Sequence, residues 1–372
     1  MIPLYKPHLP PEVGAAMQSA IAGGQINNGP KVVEFEQALR RLIGNPLLTS
    51  TANVSATIEM CLRMAGAGPG TEVIASPMSC VASTMPVLMA GATMRWCDIN
   101  PSTGNICPES AHKRITSKTR AILVNHWVGH PADLEPLAAL CREHGLALID
   151  DASESLGATY RGKRLGSTGS DYTVFCFNPI RHLNCGEGSA VAFASEALFH
   201  RAEKLKRFGI EQATFRDKLG EIRADSDIPE ASDHNFMSQI HAAFGLAQWP
   251  YLDLLLNRPK ENGKFFLEAL RGLSGFRPLS CPPDSEPAYW VFPLRAQRRD
   301  EMLPWLRDQG IHASKGHIRN DTYSCYGRPR EALPGVDEFE REQINLPCGW
   351  WVGPEERQHI VESLQRWHRE HS

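Results

Sequence analysis

The chain has 372 residues, of which 42% are apolar and 22% charged, and its formal net charge is -3. Such a composition excludes a disordered or fibrous chain and, at roughly 150 residues per domain, suits two unequal soluble domains. The charge gives no electrostatic footprint for nucleic acid or an anionic membrane, and no apolar run reaches the ~18 residues needed to span a bilayer.

The N-terminus, MIPLYKPHLPPEV, lacks the charged and apolar regions of a signal peptide, so a cytoplasmic location is expected. From about residue 35 to 245, helical and strand patterns alternate. VVEFEQALRRLIG has apolar residues at helical spacing. TEVIASP, ATMRWCDI and TRAILVNHW read as strands, PLAALCREHG as an amphipathic helix stopped by glycine, and LALIDDA as a strand ending in two carboxylates. The alternation predicts an α/β domain with a mostly parallel central sheet, whose functional residues gather at the strand C-terminal ends.

Further along, the segment from NFMSQIHAAF to LEALRGL reads as one long helix or two, with Pro250 and Pro259 as candidate breaks. AYWVFPLRA and GIHAS then read as strands, and RDEMLPWLRDQG and the C-terminal PEERQHIVESLQRWHREHS as helices. These predict a smaller C-terminal α+β domain over residues 249–372, after a large domain over 1–248. The ten cysteines stand singly without a CxxC pair, so buried reduced thiols are expected and no metal site is assigned. No Gly-rich phosphate loop of the GxGxxG or GxxxxGKS type occurs.

Several segments, in this order and spacing, carry a resemblance: NNGPKVVEFEQAL, GAGPGTEVIASPMSCVAST, CDINPSTGNI, VNHWVGHPADL, LALIDDASESLGATYRGKRLGSTGSD, FCFNPIRHLNCGEGSAVAF, HAAFGLAQ and PCGWWVGPEE. Together they resemble the DegT/StrS-type sugar aminotransferases, vitamin B6 enzymes of the aspartate aminotransferase fold (PLP fold type I). The resemblance implies a homodimer, pyridoxal phosphate (PLP) near the subunit interface, a nucleotide-linked sugar as substrate and an amino acid as nitrogen donor. By the same resemblance, Asp151 matches the acid that keeps the pyridine nitrogen protonated, whereas Asp150 reads as structural.

The Schiff-base lysine of that family falls on Arg181, with His182 beside it. A guanidinium stays protonated and is a poor nucleophile, so neither an imine nor ordinary base catalysis is open to it. Other positions depart as well. Glu154 stands where the family meets the ring hydroxyl, Cys176 replaces a phosphate-binding serine, and Val54 occupies a usual glycine beside the retained Ser55. The asparagine that reaches the partner's phosphate aligns on His234, with Asn235 next to it. Lys315, His317, Arg319 and Asn320, in KGHIRND, resemble the substrate loop. His126 and His130 are further candidates to border the pocket, and Trp350 and Trp351 read as packing aromatics.

Arg181 and Glu154 have changed together, and an ion pair between them is expected; an arginine turned to solvent or to a ligand phosphate is the alternative. His182, Glu154 and Asp151 are the candidate acid and base groups. The functional expectation is an atypical enzyme without a Schiff-base lysine, using PLP or pyridoxamine phosphate (PMP) only noncovalently, or no cofactor. The alternatives are a noncatalytic ligand-binding homodimer, or a lysine-less subunit paired with a lysine-bearing paralogue. An ordinary aminotransferase whose lysine had been exchanged would leave Glu154, Cys176 and Val54 unexplained.

Overall fold

The computed structural model describes residues 1–327 and 330–371. Seven strands, β1 (Leu48–Thr51), β2 (Glu72–Ala75), β3 (Thr93–Trp96), β4 (Thr119–Asn125), β5 (Ala147–Asp151), β6 (Tyr172–Cys176) and β7 (Ser189–Phe193), form the main sheet in the order β1-β7-β6-β5-β4-β2-β3. Only β7 runs against its neighbours; β6, β5, β4, β2 and β3 are mutually parallel. The strands read as near-continuous apolar runs because both faces are covered. Val73, Leu123, Ile149, Val174 and Val191 pack on one face, and Ile74, Ile122, Leu148 and Phe175 on the other.

The covering helices follow the amphipathic patterns. Pro30–Ile43 buries Val32, Phe35, Leu39 and Ile43, and Gly44 ends it at φ 78°, a left-handed conformation that glycine adopts without strain. Leu134–His144 stops at Gly145 in the same way.

A second sheet, β8 (Phe276–Pro278), β9 (Phe292–Ala296) and β10 (Gln343–Leu346), is antiparallel. It packs with the helices Arg299–Asp308 and Pro354–His371 around a separate core that includes Phe266, Phe292, Leu306 and Ile360. Two sequence expectations fail here. The helix Leu252–Ala269 runs through Pro259, and the break falls only at Trp249–Tyr251, where Pro250 lies. Pro259 is buried, and packing holds the helix across the hydrogen bond that proline removes. GIHAS is not a strand: Ile311 makes a single bridge to Ile2, and Ser314 one to Asn345.

The N-terminal arm crosses between the two sheets. The Trp351 indole donates to the Pro3 carbonyl at 2.8 Å, the Trp350 indole to that of Lys6 at 3.2 Å, and the Asn184 amide to that of His8 at 3.2 Å. The paired tryptophans therefore clamp the arm. Among the described residues, no helix is long and apolar enough to cross a membrane.

Candidate functional site

Parallel pairing sets Asn125 opposite Asp151 and Asp151 opposite Val174, so the C-terminal ends of β4, β5 and β6 share one edge. A cavity of about 220 Å³ opens there, bordered by Asn125, His126, Asp151, Glu154, Cys176 and Arg181, with His317 across its mouth. Successive strand residues face opposite sides, which separates Asp151 from Asp150. Asp151 takes the Ser83 hydroxyl on one oxygen and the Ser153 amide, at 3.0 Å, on the other. Burial raises its pKa, and those two donors partly offset the shift.

Arg181 follows β6 on a turn in which its amide donates to the Asn178 carbonyl at 3.0 Å. Its Nη1 lies 3.1 Å from Glu154 Oε1, and the two side chains are only 10% and 11% exposed. His317 Nε2 reaches the same oxygen at 3.0 Å. Burial alone would raise the Glu154 pKa, but His317 and Arg181 outweigh it and hold the carboxyl below its ordinary range. Burial likewise opposes charge on Arg181, yet Glu154 keeps the guanidinium protonated beyond its usual range. The expected ion pair is thus formed, with a histidine as its third member.

One residue missed in the sequence orders this cluster. The Trp290 ring lies 4.5 Å from the Arg181 guanidinium, stacks with His317 at 6.1 Å and with Tyr5 at 4.6 Å, and its indole donates to the Ile180 carbonyl at 2.6 Å. The N-terminal arm, the turn after β6 and the loop carrying His317 all meet at this ring. Nothing local in AYWVF marked Trp290 for it. The hydroxyl of Ser83 and the Cys80 thiol at the cavity wall were equally silent.

The remaining expected site residues are engaged within the protein or stand away from the cavity. His182 does not line the cavity: its Nε2 meets the Ala288 carbonyl at 3.1 Å, and burial pushes its pKa down to about 4. His126 lines the cavity, but its Nδ1 accepts the Ala132 amide at 3.0 Å and burial lowers its pKa to about 3. His130 is buried against Tyr289. Of the loop residues 315–320, only His317 borders the cavity. Arg319 is fully buried, bonded bidentately to Asp321 at 2.6 Å and also to Asp337. Asn320 binds Thr84 at 2.9 Å, and Lys315 lies 3.5 Å from Asp300. Arg319 and Asn320 thus brace the loop that presents His317.

The phosphate-side residues are also engaged. Asn53 caps the helix Val54–Met64, its side-chain oxygen accepting the Ser55 and Ala56 amides at 2.9 and 3.2 Å. Asn235 accepts the Ala52 and Asn53 amides at 3.1 and 3.0 Å. The Ser55 hydroxyl donates to the Ala82 carbonyl at 2.9 Å, and His234 packs between Phe208 and Phe236. The Ser55, Ala56 and Thr57 amides, part of what makes a helix N-terminus an anion site, are therefore satisfied within the chain, and Val54 faces the cavity there. Cys176 remains at the wall, its thiol pKa raised by burial.

Comparison with known proteins agrees with this architecture. Residues 9–365 match the DegT/DnrJ/EryC1/StrS aminotransferase family. A curated relative, dTDP-3-amino-3,4,6-trideoxy-alpha-D-glucose transaminase of Streptomyces venezuelae, is 28% identical over 96% of this chain and 92% of its own. The crystal structure of the sugar aminotransferase CalS13 from Micromonospora echinospora is 32% identical, covering 98% of this chain and 100% of that one, with a TM-score of 0.93. AtS13 from Actinomadura melliaura is 33% identical over 98% of both chains, with a TM-score of 0.92.

Proposed function

The chain belongs to the DegT/DnrJ/EryC1/StrS aminotransferase family, and from that premise we propose that it is a member without a Schiff-base lysine, acting on a nucleotide-linked sugar or related amino or keto metabolite by a route other than ordinary transamination. The observation that carries the reading is Arg181 at the cavity, its charge held by Glu154. A permanently protonated guanidinium forms no imine and carries no proton between substrate atoms. The sugar-nucleotide name of the Streptomyces venezuelae relative supports the ligand class.

The residues present do not fit a covalently held PLP. Arginine stands where the resemblance places the nucleophile, Asn53 takes the Ser55 and Ala56 amides, and a carboxylate stands in the cavity. Vitamin B6 cofactors are left a noncovalent hold or none. Asp151 offers the ligand a buried acceptor. Glu154 and His317 form the acid/base pair of this reading, because their contact spans the cavity mouth whereas His182 faces a backbone carbonyl.

A homodimer belongs to the same reading. Phe208, Leu219 and Ile222, on the segment between residues 207 and 235, expose large apolar surface suited to a second subunit. One observation favours a noncatalytic alternative, a binding protein or a lysine-less partner of a paralogue: Glu154 is engaged by both Arg181 and His317. The deciding assay follows glutamate-dependent amination of a dTDP-linked keto-sugar by the pure protein. No amination is expected, and turnover by the protein alone would contradict the reading. Turnover of other sugar nucleotides separates the enzyme from the binding alternative.

A further inference from the structure

The cations of the cavity are both turned to Glu154: Arg181 and His317 meet the same carboxylate oxygen. Asp151, 5% exposed and on the same lining, has no cationic partner among the described residues and holds only the Ser83 hydroxyl and the Ser153 amide. His126 does not supply the charge, because its Nδ1 accepts the Ala132 amide and its Nε2 lies toward Asp150, at 3.9 Å. We infer that the cavity takes a protonated amine, its ammonium seated between the Asp151 carboxylate and the side-chain oxygen of Asn125, so that the ligand is an amino sugar and not its keto or hydroxy counterpart. The inference rests on the nucleotide-linked sugar reading above and narrows it.

Asn125 supplies the second acceptor. Its amide nitrogen donates to the Met78 carbonyl at 2.9 Å, which fixes the orientation of the group, since a carbonyl can only accept. Its oxygen is left on the cavity side with no donor among the described residues. Asn125 and Asp151 stand opposite each other in the parallel ladder of β4 and β5, so their side chains leave the same face of strands about 4.8 Å apart. An ammonium that reaches ~2.8 Å to each oxygen spans that gap.

Other ligand groups fit less well. A buried carboxylate without a cation is costly, and burial, with a weaker push from Glu154, raises the Asp151 pKa. A neutral hydroxyl or keto group leaves that cost in place, whereas a phosphate or carboxylate adds a like charge beside it. A metal ion lacks its ligand set: no group of three or more His, Cys, Asp and Glu able to hold one occurs among the described residues. At about 220 Å³ the cavity is below the ~300 Å³ lower end of sites for drug-sized ligands, which suits one amino-sugar ring with the nucleotide outside the mouth.

The test is titration calorimetry of the full chain with a dTDP-linked 3-amino sugar, with dTDP-glucose and with pyridoxine phosphate, which carries a pyridine nitrogen but neither amine nor aldehyde. The amino sugar is expected to bind roughly tenfold or more tightly than dTDP-glucose. Asp151→Asn, which keeps the volume of the side chain and removes its charge, should erase that preference; thermal melting checks its fold. Asn125→Ala, as an independent variant, should reduce the preference several-fold. Equal affinity for the two sugars overturns the inference while leaving the sugar-nucleotide reading in place, and so does a preference that survives Asp151→Asn. Pyridoxine phosphate that displaces the amino sugar and loses its binding on Asp151→Asn also overturns it, because the carboxylate then serves a pyridinium nitrogen. Absence of binding by either sugar nucleotide overturns the inference and that reading together.

Discussion

At the residue scale, the cavity is governed by who neutralises whom. Truncating Arg181 to Ala leaves Glu154 buried beside His317 alone, and breaking a buried pair typically costs about 3 kcal/mol. Denaturant unfolding of Arg181→Ala should show a loss of that order, while Arg181→Ala with Glu154→Gln should recover much of it. Glu154 is an acid with a depressed folded pKa. Its contribution is therefore complete above the ordinary carboxyl pKa and disappears as the pH falls through the depressed value.

Asp150 behaves oppositely. His126 stands 3.9 Å away, and burial raises its pKa to about 7 against the opposing pull of the Ser170 and Thr173 hydroxyls. A raised acid favours folding fully below its unfolded pKa and loses that contribution as the pH rises through the folded value. Asp150→Asn should thus gain stability over the parent on moving from about pH 6 to 8, by on the order of 1 kcal/mol. Equal pH profiles for the two proteins would contradict this. The Arg181–Glu154 pair was legible in the sequence because two departures fell at related positions. The role of His317 was half legible, within a polar loop. Arg319 and Asn320 were misread, since buried polar residues that brace a loop have the same composition as ligand contacts.

At the element scale, the α/β alternation could be read directly because periodicity is a local property of the strands and helices. The path of the chain through Pro259 could not, since it depends on packing between distant segments. Trp290 was invisible for the same reason: Tyr5, Arg181 and His317 come from three parts of the chain. Trp290→Leu should loosen the N-terminal arm, seen as faster hydrogen exchange at residues 1–8, with Trp290→Phe largely restoring protection. Unchanged exchange in the Leu variant would remove the ring from that role. The cap on the helix Val54–Met64 is a second element-scale test. Asn53→Ala should cost about 1 kcal/mol, as the loss of a helix cap does, and should raise affinity for PLP by freeing the Ser55 and Ala56 amides. A stability loss without tighter binding would show that those amides are not what excludes the phosphate.

At the scale of the whole molecule, the C-terminal edge of the main sheet and the loop carrying His317 meet at a cavity in which Arg181 is paired with Glu154, and Trp290 ties the N-terminal arm to that pair. Fold and family could be read from motif order across almost the entire chain. Substrate and chemistry depend on side-chain pairing that motif order does not encode. Whether lysine-dependent vitamin B6 chemistry has been replaced is tested by an absorbance titration with PLP followed by borohydride reduction and intact-mass measurement, with Arg181→Lys in parallel. No reducible imine band and no added PLP mass are expected on the native protein. A stoichiometric PLP adduct on the native chain, carried by any other lysine and lost on substituting that lysine, would contradict this.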